Sequence, residues 1–250
     1  SIIVKVLTWI EKEVYKNAEK IVVLSKGSIS YVKDRGAKDV IWIPNGPSLK
    51  QFAYSELPSE PLKFSSKRMF TLIYAGAHGE ANDLENVIEA SRYLKNYPIK
   101  FIFAGDGQLK NKLICSAREL QNVDFLPPFP SCEIPDFLAK ADAIIISLKD
   151  VELFRYGVSP NKLYDAYAIG RPVITTIPGI INEEVEVNRL GYTSRAGNPR
   201  MLADAIKKLY LTPREERIAM GKRGRLLSEE IYSRDKANKS YLKLFRNISL

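Results

Sequence analysis

Short apolar runs alternate with longer segments in which apolar residues recur every three or four positions, and this alternation occupies most of the 250-residue chain. Val6, Trp9, Ile10 and Val14 fall at helical spacing between Ile2 and about Ala18, and the buried-strand pattern Ile21 to Leu24 follows. Ser25 stands where it could cap a second helix ending near Gly36, and Val40 to Ile43 reads as the next strand. From Phe70 the pattern predicts strand 70–75, helix 83–96, strand 99–104, helix 108–120, a short strand 123–126, helix 134–140, strand 142–147, helix 161–169 and strand 172–176. Three helices, at about 199–210, 213–228 and 233–247, finish the chain. Short apolar strands separated by helices predict an α/β fold with a doubly wound parallel sheet. The unit at residues 1–44 is too small to be a domain by itself. Residues 45–67, with Pro47, Pro58 and Pro61 among Ser and Lys, have the composition of a connector.

Ligands of such sheets sit at the carboxyl ends of the strands, where Gly76 to Gly79, Gly105 to Gly107 and Ser159 to Lys162 all fall. Ser159 is a suitable N-cap and Pro160 a suitable first helical residue, so the free amides near Asn161 and Lys162 form an anion site. Lys162 adds a full charge. Asp165, one turn on, either takes two hydroxyls of a ribose attached to that anion or faces solvent. Gly76, Ala77 and Gly79 would let backbone amides approach a phosphate. His78, the sole histidine, has three readings: a hydrogen-bond donor to a diphosphate, a structural loop residue, or a general base. Asn82 and Asp83 read as caps of the next helix. Gly105-Asp106-Gly107 is half of a dinucleotide fingerprint, but Lys110 stands where the third glycine belongs, which argues against an NAD enzyme. Leu148 and the Phe129-Pro130 turn would either line a base pocket or belong to the core.

The run Ser159-Pro160-Asn161-Lys162-Leu163, continued by Gly170 and Pro172-Val173-Ile174, resembles a signature of GT-B glycosyltransferases of family 4. It is most similar to the bacterial group that transfers amino and deoxy sugars in surface polysaccharide assembly. Ile43-Pro44-Asn45-Gly46 with Phe52, Tyr74 to Gly79, Phe103 to Gly107 with Leu109, and Ile134 to Ser147 resemble further motifs of that family in the same order. The resemblance implies two domains facing a cleft, with the last helix crossing back to the first. On that plan residues 1–44 are the end of an acceptor-binding N-terminal domain and 45–67 the interdomain linker. Residues 68–232 are the nucleotide-sugar-binding domain, and 233–250 the crossing helix.

The same resemblance implies retaining, metal-independent transfer from a nucleotide-diphosphate sugar, with UDP expected, to a saccharide or polyprenyl-linked acceptor. The nucleotide sugar is then a substrate, and no cofactor is expected. Asp165 takes the second acidic position of the family's EX7E motif, but Gly157 occupies the first, leaving Glu152 as the nearby carboxylate. His78, Lys162 and Glu152 are the candidate catalytic residues. Gly76, Ala77, Gly79, Gly105, Gly107, Leu148, Ser159, Pro160, Asn161, Lys162 and Asp165 are the candidate donor contacts. The Arg and Lys that many members place after the first strand of this domain are missing. A non-catalytic nucleotide-sugar-binding subunit is the alternative, while a GT-B epimerase fits poorly with a single histidine.

Charge narrows the partners. The chain carries a formal charge of +9, and residues 201–250 hold 12 Lys or Arg against 6 Asp or Glu. These basic residues lie on amphipathic helices rather than beside stacking aromatics, so nucleic acid is not an expected partner. A solvated basic face and attraction to an anionic membrane surface remain. The acceptor half expected to be missing makes a separate N-terminal chain or self-association a further expectation. Cys115 and Cys132 have no metal-ligand spacing, and together with the absence of a signal-peptide pattern they suit a cytoplasmic protein, peripheral at most on the inner membrane face. No Asp-x-Asp, P-loop or GxSxG pattern occurs.

Overall fold

A computed structural model describes residues 2–58, 69–155 and 157–248. Helix α1 (Ile2–Asn17) leads into strand β1 (Ile21–Val23), and α2 (Ser28–Asp34) returns the chain to β2 (Val40–Trp42). β1 and β2 pair in parallel with Ile21 opposite Val40, over a small core of Val23, Val32 and Ala37. Ser25 does not cap α2 with its side chain: Gly27 holds the cap position, and the Ser25 carbonyl accepts from Ser28 N at 3.1 Å.

The larger unit begins with β3 (Phe70–Ala75), a 3₁₀ turn at Glu80–Asn82 and α3 (Leu84–Tyr93). β4 (Ile99–Ala104), α4 (Lys110–Ser116), β5 (Val123–Leu126), α5 (Ile134–Leu138) and β6 (Ala143–Ile146) follow. Then come α6 (Glu152–Arg155), α7 (Asn161–Ala168), β7 (Val173–Thr175), α8 (Ile180–Val187) and β8 (Gly191–Thr193). α9 (Pro199–Leu211), α10 (Arg214–Glu230) and α11 (Arg234–Ile248) complete the chain.

All pairings of the six-stranded sheet are parallel, in the order β5-β4-β3-β6-β7-β8. The central strands bury both faces. Phe70, Leu72 and Tyr74 join one core with Val87 and Ile88 of α3 and Leu202 and Ile206 of α9. Ile73, Ile144 and Ile146 join the other with Leu163 and Tyr167 of α7 and Val185 of α8. Each such aliphatic side chain stabilises the fold by about 1.5–3 kcal/mol. Two cores on opposite faces are the doubly wound arrangement that the strand pattern predicts.

The pattern overlooks α6, α8 and β8, and it overextends the helix from 108 to 120, which ends at Ser116. β8 is three residues at a sheet edge, too short to show periodicity. Its Gly191 lies so close to β7 that an added Cβ would stand 1.8 Å from the Val173 carbonyl oxygen.

The expected connector lies within the described residues only up to Pro58; the remainder falls outside them. Arginines from the larger unit hold residues 52–58. Arg225 Nη1 donates to the Phe52 and Ala168 carbonyls, both at 2.8 Å, and Arg214 to those of Leu57 and Pro58 at 2.7 and 3.1 Å. Arg171 bonds the carbonyls of Ser55 and Glu56.

Candidate functional site

β3 is the topological switch of the sheet, because β4 and β5 lie on one side of it and β6, β7 and β8 on the other. A crevice opens at the carboxyl ends of strands where the order reverses in this way. Two loops meet there. Gly76 N donates to the Ala104 carbonyl at 2.9 Å and His78 N to the Asp106 carbonyl at 2.7 Å, so the chain after β3 runs against the chain after β4. Gly105, with φ +140°, is required by this contact, since an added Cβ would stand 1.9 Å from Gly76 O. Gly107 lies against the His78 backbone. The side of both glycines that a Cβ would occupy is therefore taken up by the neighbouring loop. A Cβ added at Gly79 would make ordinary contact with Asn82 Nδ2 at 3.8 Å, and Ala77 is exposed.

The imidazole of His78 is fully buried, with ring centroids 6.0 Å from Tyr74 and 6.1 Å from Phe125. Neither ring nitrogen has a hydrogen-bond partner among the described residues. Burial, then the charge of Lys110, lowers its pKa, which favours the neutral ring. Of its three sequence readings, the structural loop residue matches this placement, because a fully buried ring does not reach the surface of the loop.

α7 begins at Asn161, not Pro160. Pro160 is the N-cap (φ −77°, ψ 111°), and no side chain caps the helix. Ser159 Oγ instead pairs with Tyr164 Oη at 3.1 Å. The helix end still points Lys162 at the switch. Lys162 Nζ donates to Tyr74 Oη at 2.9 Å and Asn82 Oδ1 at 3.0 Å, and Tyr74 Oη donates to the Ala77 carbonyl at 2.7 Å. An added Cβ on Gly76 would stand 3.2 Å from the same Nζ. Burial pushes the Lys162 pKa down to about 8. Asn82 thus holds the lysine rather than capping α3. Asp83 has the cap position in left-handed geometry (φ 50°, ψ 40°) with no side-chain cap bond, and its carboxylate accepts from Gly197 N at 3.3 Å.

Asp165, one turn beyond Asn161, borders an open cavity of about 540 Å³. Phe52 and Ile134 give it apolar wall, and Ser131, Asn161 and Asn45 give it polar groups. Arg234 of α11 also lines it. Burial raises the Asp165 pKa to about 7, against an opposing pull from Arg234. Lys162 and Asp165 therefore project from one helix into two adjoining places, the glycine loop and the cavity. A phosphate at the first and a ribose in the second suit the spacing.

Other candidates stand apart. Leu148 is half-buried against the second core and donates its amide to Thr176 Oγ1 at 3.3 Å. Phe129 stacks on Phe137 at 4.4 Å and so packs with that core too. Glu152 is exposed on α6. Gly157 (φ +109°) approaches the smaller unit so closely that an added Cβ would stand 2.1 Å from Ser25 Oγ. A side chain at this position would therefore meet Ser25 in a backbone conformation that favours glycine. Among the described residues no group of three or more His, Cys, Asp or Glu could hold a metal ion, and no helix is long and apolar enough to cross a membrane. Sequence reasoning misses Arg234 and the role of Asn82. Arg234 lies about seventy residues from Asp165 in the chain, and Asn82 has the appearance of an ordinary cap.

Residues 60–227 match the family model described as glycosyl transferases group 1. The chain is 26% identical over 184 residues to the putative colanic acid biosynthesis glycosyl transferase WcaI of Escherichia coli K12, covering 70% of this chain and 44% of that protein. It is 24% identical over 208 residues to the probable glycosyltransferase WbjE of Pseudomonas aeruginosa, covering 78% and 50%. The chain thus spans about half the length of the curated relatives it matches. Its fold is similar to that of Anabaena HepE solved with UDP and glucose (TM-score 0.77, 16% identity, 96% of this chain and 66% of that one). It is also similar to the C-terminal domain of the Francisella tularensis glycosyl transferase LpcC (TM-score 0.59, 18% identity, 75% and 98%). With a GT-B type fold and a family match over more than half its length, the chain belongs to the glycosyl transferases of group 1.

Proposed function

We propose that the chain binds a nucleotide-diphosphate sugar, most simply a UDP-sugar, with the diphosphate at the α7 N-terminus and the ribose on Asp165. The observation that carries this reading is the pair Lys162 and Asp165. Both are largely withdrawn from solvent and shifted toward neutrality, and they project from one helix end at the sheet's switch point. A diphosphate supplies the counter-charge that Lys162 lacks, and ribose hydroxyls supply donors for Asp165. Transfer then breaks the bond between the anomeric carbon and the diphosphate oxygen. The acceptor hydroxyl forms its bond on the same face and gives its proton to the departing diphosphate oxygen, while helix amides and Lys162 stabilise the departing charge. The proposal includes no protein nucleophile, metal or cofactor. The acceptor is a saccharide or a polyprenyl-linked saccharide, held by an N-terminal half in the same or a separate polypeptide. The basic C-terminal helices favour an anionic membrane surface, and no nucleic acid partner is proposed. Residues 1–44 and 233–250 keep the roles of acceptor-domain remnant and crossing helix.

A non-catalytic donor-binding subunit is the second reading, favoured by Gly157, whose packing leaves no room for the family's first carboxylate. Thermal shifts with UDP, GDP, TDP and ADP sugars test the donor reading, since a ligand well above its Kd raises the melting temperature by mass action. UDP-sugars should give the largest shift, undiminished by EDTA, and no shift with any of the four would sink the proposal. Incubation with a separately expressed N-terminal half then separates the two readings: release of UDP on adding acceptor marks the enzyme, and its absence the binding subunit.

A further inference from the structure

α11 has two different faces. Arg234, Ala237, Asn238 and Tyr241 line the cavity beside Asp165, spaced three, four and seven residues from the first, so they form one stripe of the helix. Leu242 and Phe245 are exposed elsewhere on it. The stripe is anchored at its start, where Arg234 N donates to the Pro47 carbonyl at 3.0 Å. The Arg234 guanidinium has no ion pair among the described residues, although Asp165 feels its charge across the cavity. A cation and a partly buried carboxylate that line one cavity without forming an ion pair among the described residues are poorly explained as a stability device. The cation is well placed to govern what that carboxylate can hold.

We propose that Arg234 is a positioning residue of the donor site, keeping Asp165 ionised so that its carboxylate accepts the ribose hydroxyls of the nucleotide. The inference rests on the reading of the cavity as the nucleoside site. It gives the last helix a part in donor binding that the sequence resemblance, which makes it only a crossing brace, does not assign. Among the described residues, Arg234 and Tyr241 are the other titratable side chains lining the cavity. The strip at 45–52 and the turn at 131–134 present Asn45, Gln51 and Ser131, all uncharged. α10, packed against α7, sends Arg225 to the carbonyls of Ala168 and Phe52. No other charged group among the described residues therefore lines the cavity opposite Asp165.

The test is UDP affinity measured by titration calorimetry from pH 6 to 9 on the parent, Arg234→Ala, Arg234→Lys and Asp165→Ala. The ionisation of UDP itself is common to all four and cancels in the comparison. Relative to Asp165→Ala, which shares the titration of UDP and the loss of the Lys162 charge near pH 8, the parent should gain affinity as the pH rises through about 7, where Asp165 ionises. In Arg234→Ala this rise should move up by roughly one unit, with binding about fivefold weaker near pH 7, approaching tenfold at pH 6, and converging on the parent at pH 9. Arg234→Lys should keep the parent profile, and Asp165→Ala should show only the pH dependence that UDP and Lys162 impose. Equal weakening of Arg234→Ala at every pH, or no weakening, would overturn the inference while leaving the donor reading intact. A parent that does not bind UDP would overturn the donor reading and the inference together.

Discussion

Lys162 and Arg171, two cations withdrawn from solvent at either end of α7, are treated in opposite ways. Arg171, 1% exposed, spends its guanidinium on backbone carbonyls: Ser55 at 2.5 Å, Ala139 at 2.6 Å, Glu56 at 2.9 Å and Ile169 at 3.2 Å. Lys162 has two neutral side-chain oxygens and, among the described residues, no carboxylate. Burial lowers the pKa of both, to about 10 for Arg171 and about 8 for Lys162. A buried charge alone is therefore no mark of a site. The seam around Arg171 is nearly finished: the chain supplies acceptors to both terminal nitrogens, and Nε alone of the guanidinium has none among the described residues. The N-terminal end of α7 is unfinished, and what it lacks is an anion.

The largest effect expected is at the Arg171 seam. Arg171→Met removes the donor for these carbonyls at once and should cost about 3–5 kcal/mol, because breaking a buried charged network leaves its partners desolvated. Urea unfolding measures the loss. UDP affinity of the folded protein should stay within about twofold of the parent. A loss under about 1 kcal/mol would mean that residues 52–58 are held by other contacts.

The unfinished end should behave in the reverse sense, with Asp165→Asn as the next largest effect. The Asp165 pKa is raised from 3.8 to about 7, so between those values the folded protein holds a proton that the unfolded chain has lost. Stability from this group is thus present at low pH and falls as the pH rises through about 7. Lys162, lowered from 10.5 to about 8, has the opposite slope above pH 8, where the folded protein has released a proton that the unfolded chain keeps. The two together place a stability minimum between about pH 7 and 8. Asp165→Asn should raise stability at pH 7.5 by on the order of 2 kcal/mol after allowance for partial solvent access, and remove the acid slope. It should weaken UDP binding at least tenfold. Unfolding curves at pH 4.5, 6 and 7.5 decide the matter, and an unchanged acid slope would show that Asp165 is not the group responsible.

How far the sequence makes this contrast legible depends on the reach of each signal. The parallel sheet is readable because fully buried strands are continuous apolar runs, as in Ile144, Ile145 and Ile146 of β6, and helices keep a period of three to four. Lys162 and Asp165 are readable because one helix end carries both. β8 is not, being three residues whose pairing is decided by contact with β7. Gly105 and His78 are held by contacts that the sequence does not show. Glycine and histidine in a loop after a strand suit a phosphate site, but here loop-to-loop packing and aromatic burial use them first. Arg171 looks like an ordinary residue before Pro172, since its acceptors come from residues 55, 56, 139 and 169.

Lys162→Met should sharpen the comparison with a smaller effect. If the lysine awaits an anion, its removal should weaken UDP about tenfold, near 1.4 kcal/mol, and leave uridine binding almost unchanged. Stability at pH 7.5 should rise rather than fall, because an under-compensated charge leaves the interior. A fall of the size expected for Arg171→Met would place Lys162 in the structural class.

The smallest effect concerns α1, which is unfinished in a different way. It buries no residue at all, and Ile3 and Leu7 are 70% and 59% exposed. Its deficiency is one of apolar cover rather than charge: Tyr15 packs on the small core and Glu11 bonds Tyr31 and Arg35, but Ile3 and Leu7 add almost nothing to the folding of this chain. Ile3→Ser with Leu7→Ser should therefore change unfolding free energy by about 0.5 kcal/mol or less, the scale of helix propensity and exposed substitutions. UDP binding should be unaffected. The same pair of changes should reduce any association seen by analytical ultracentrifugation, since contiguous exposed apolar surface is what drives it. A loss of about 2 kcal/mol or more that grows with protein concentration would show that a second copy already covers α1 in solution. In that event the helix belongs with the Arg171 seam as a completed structure, and only the α7 end remains open to a ligand.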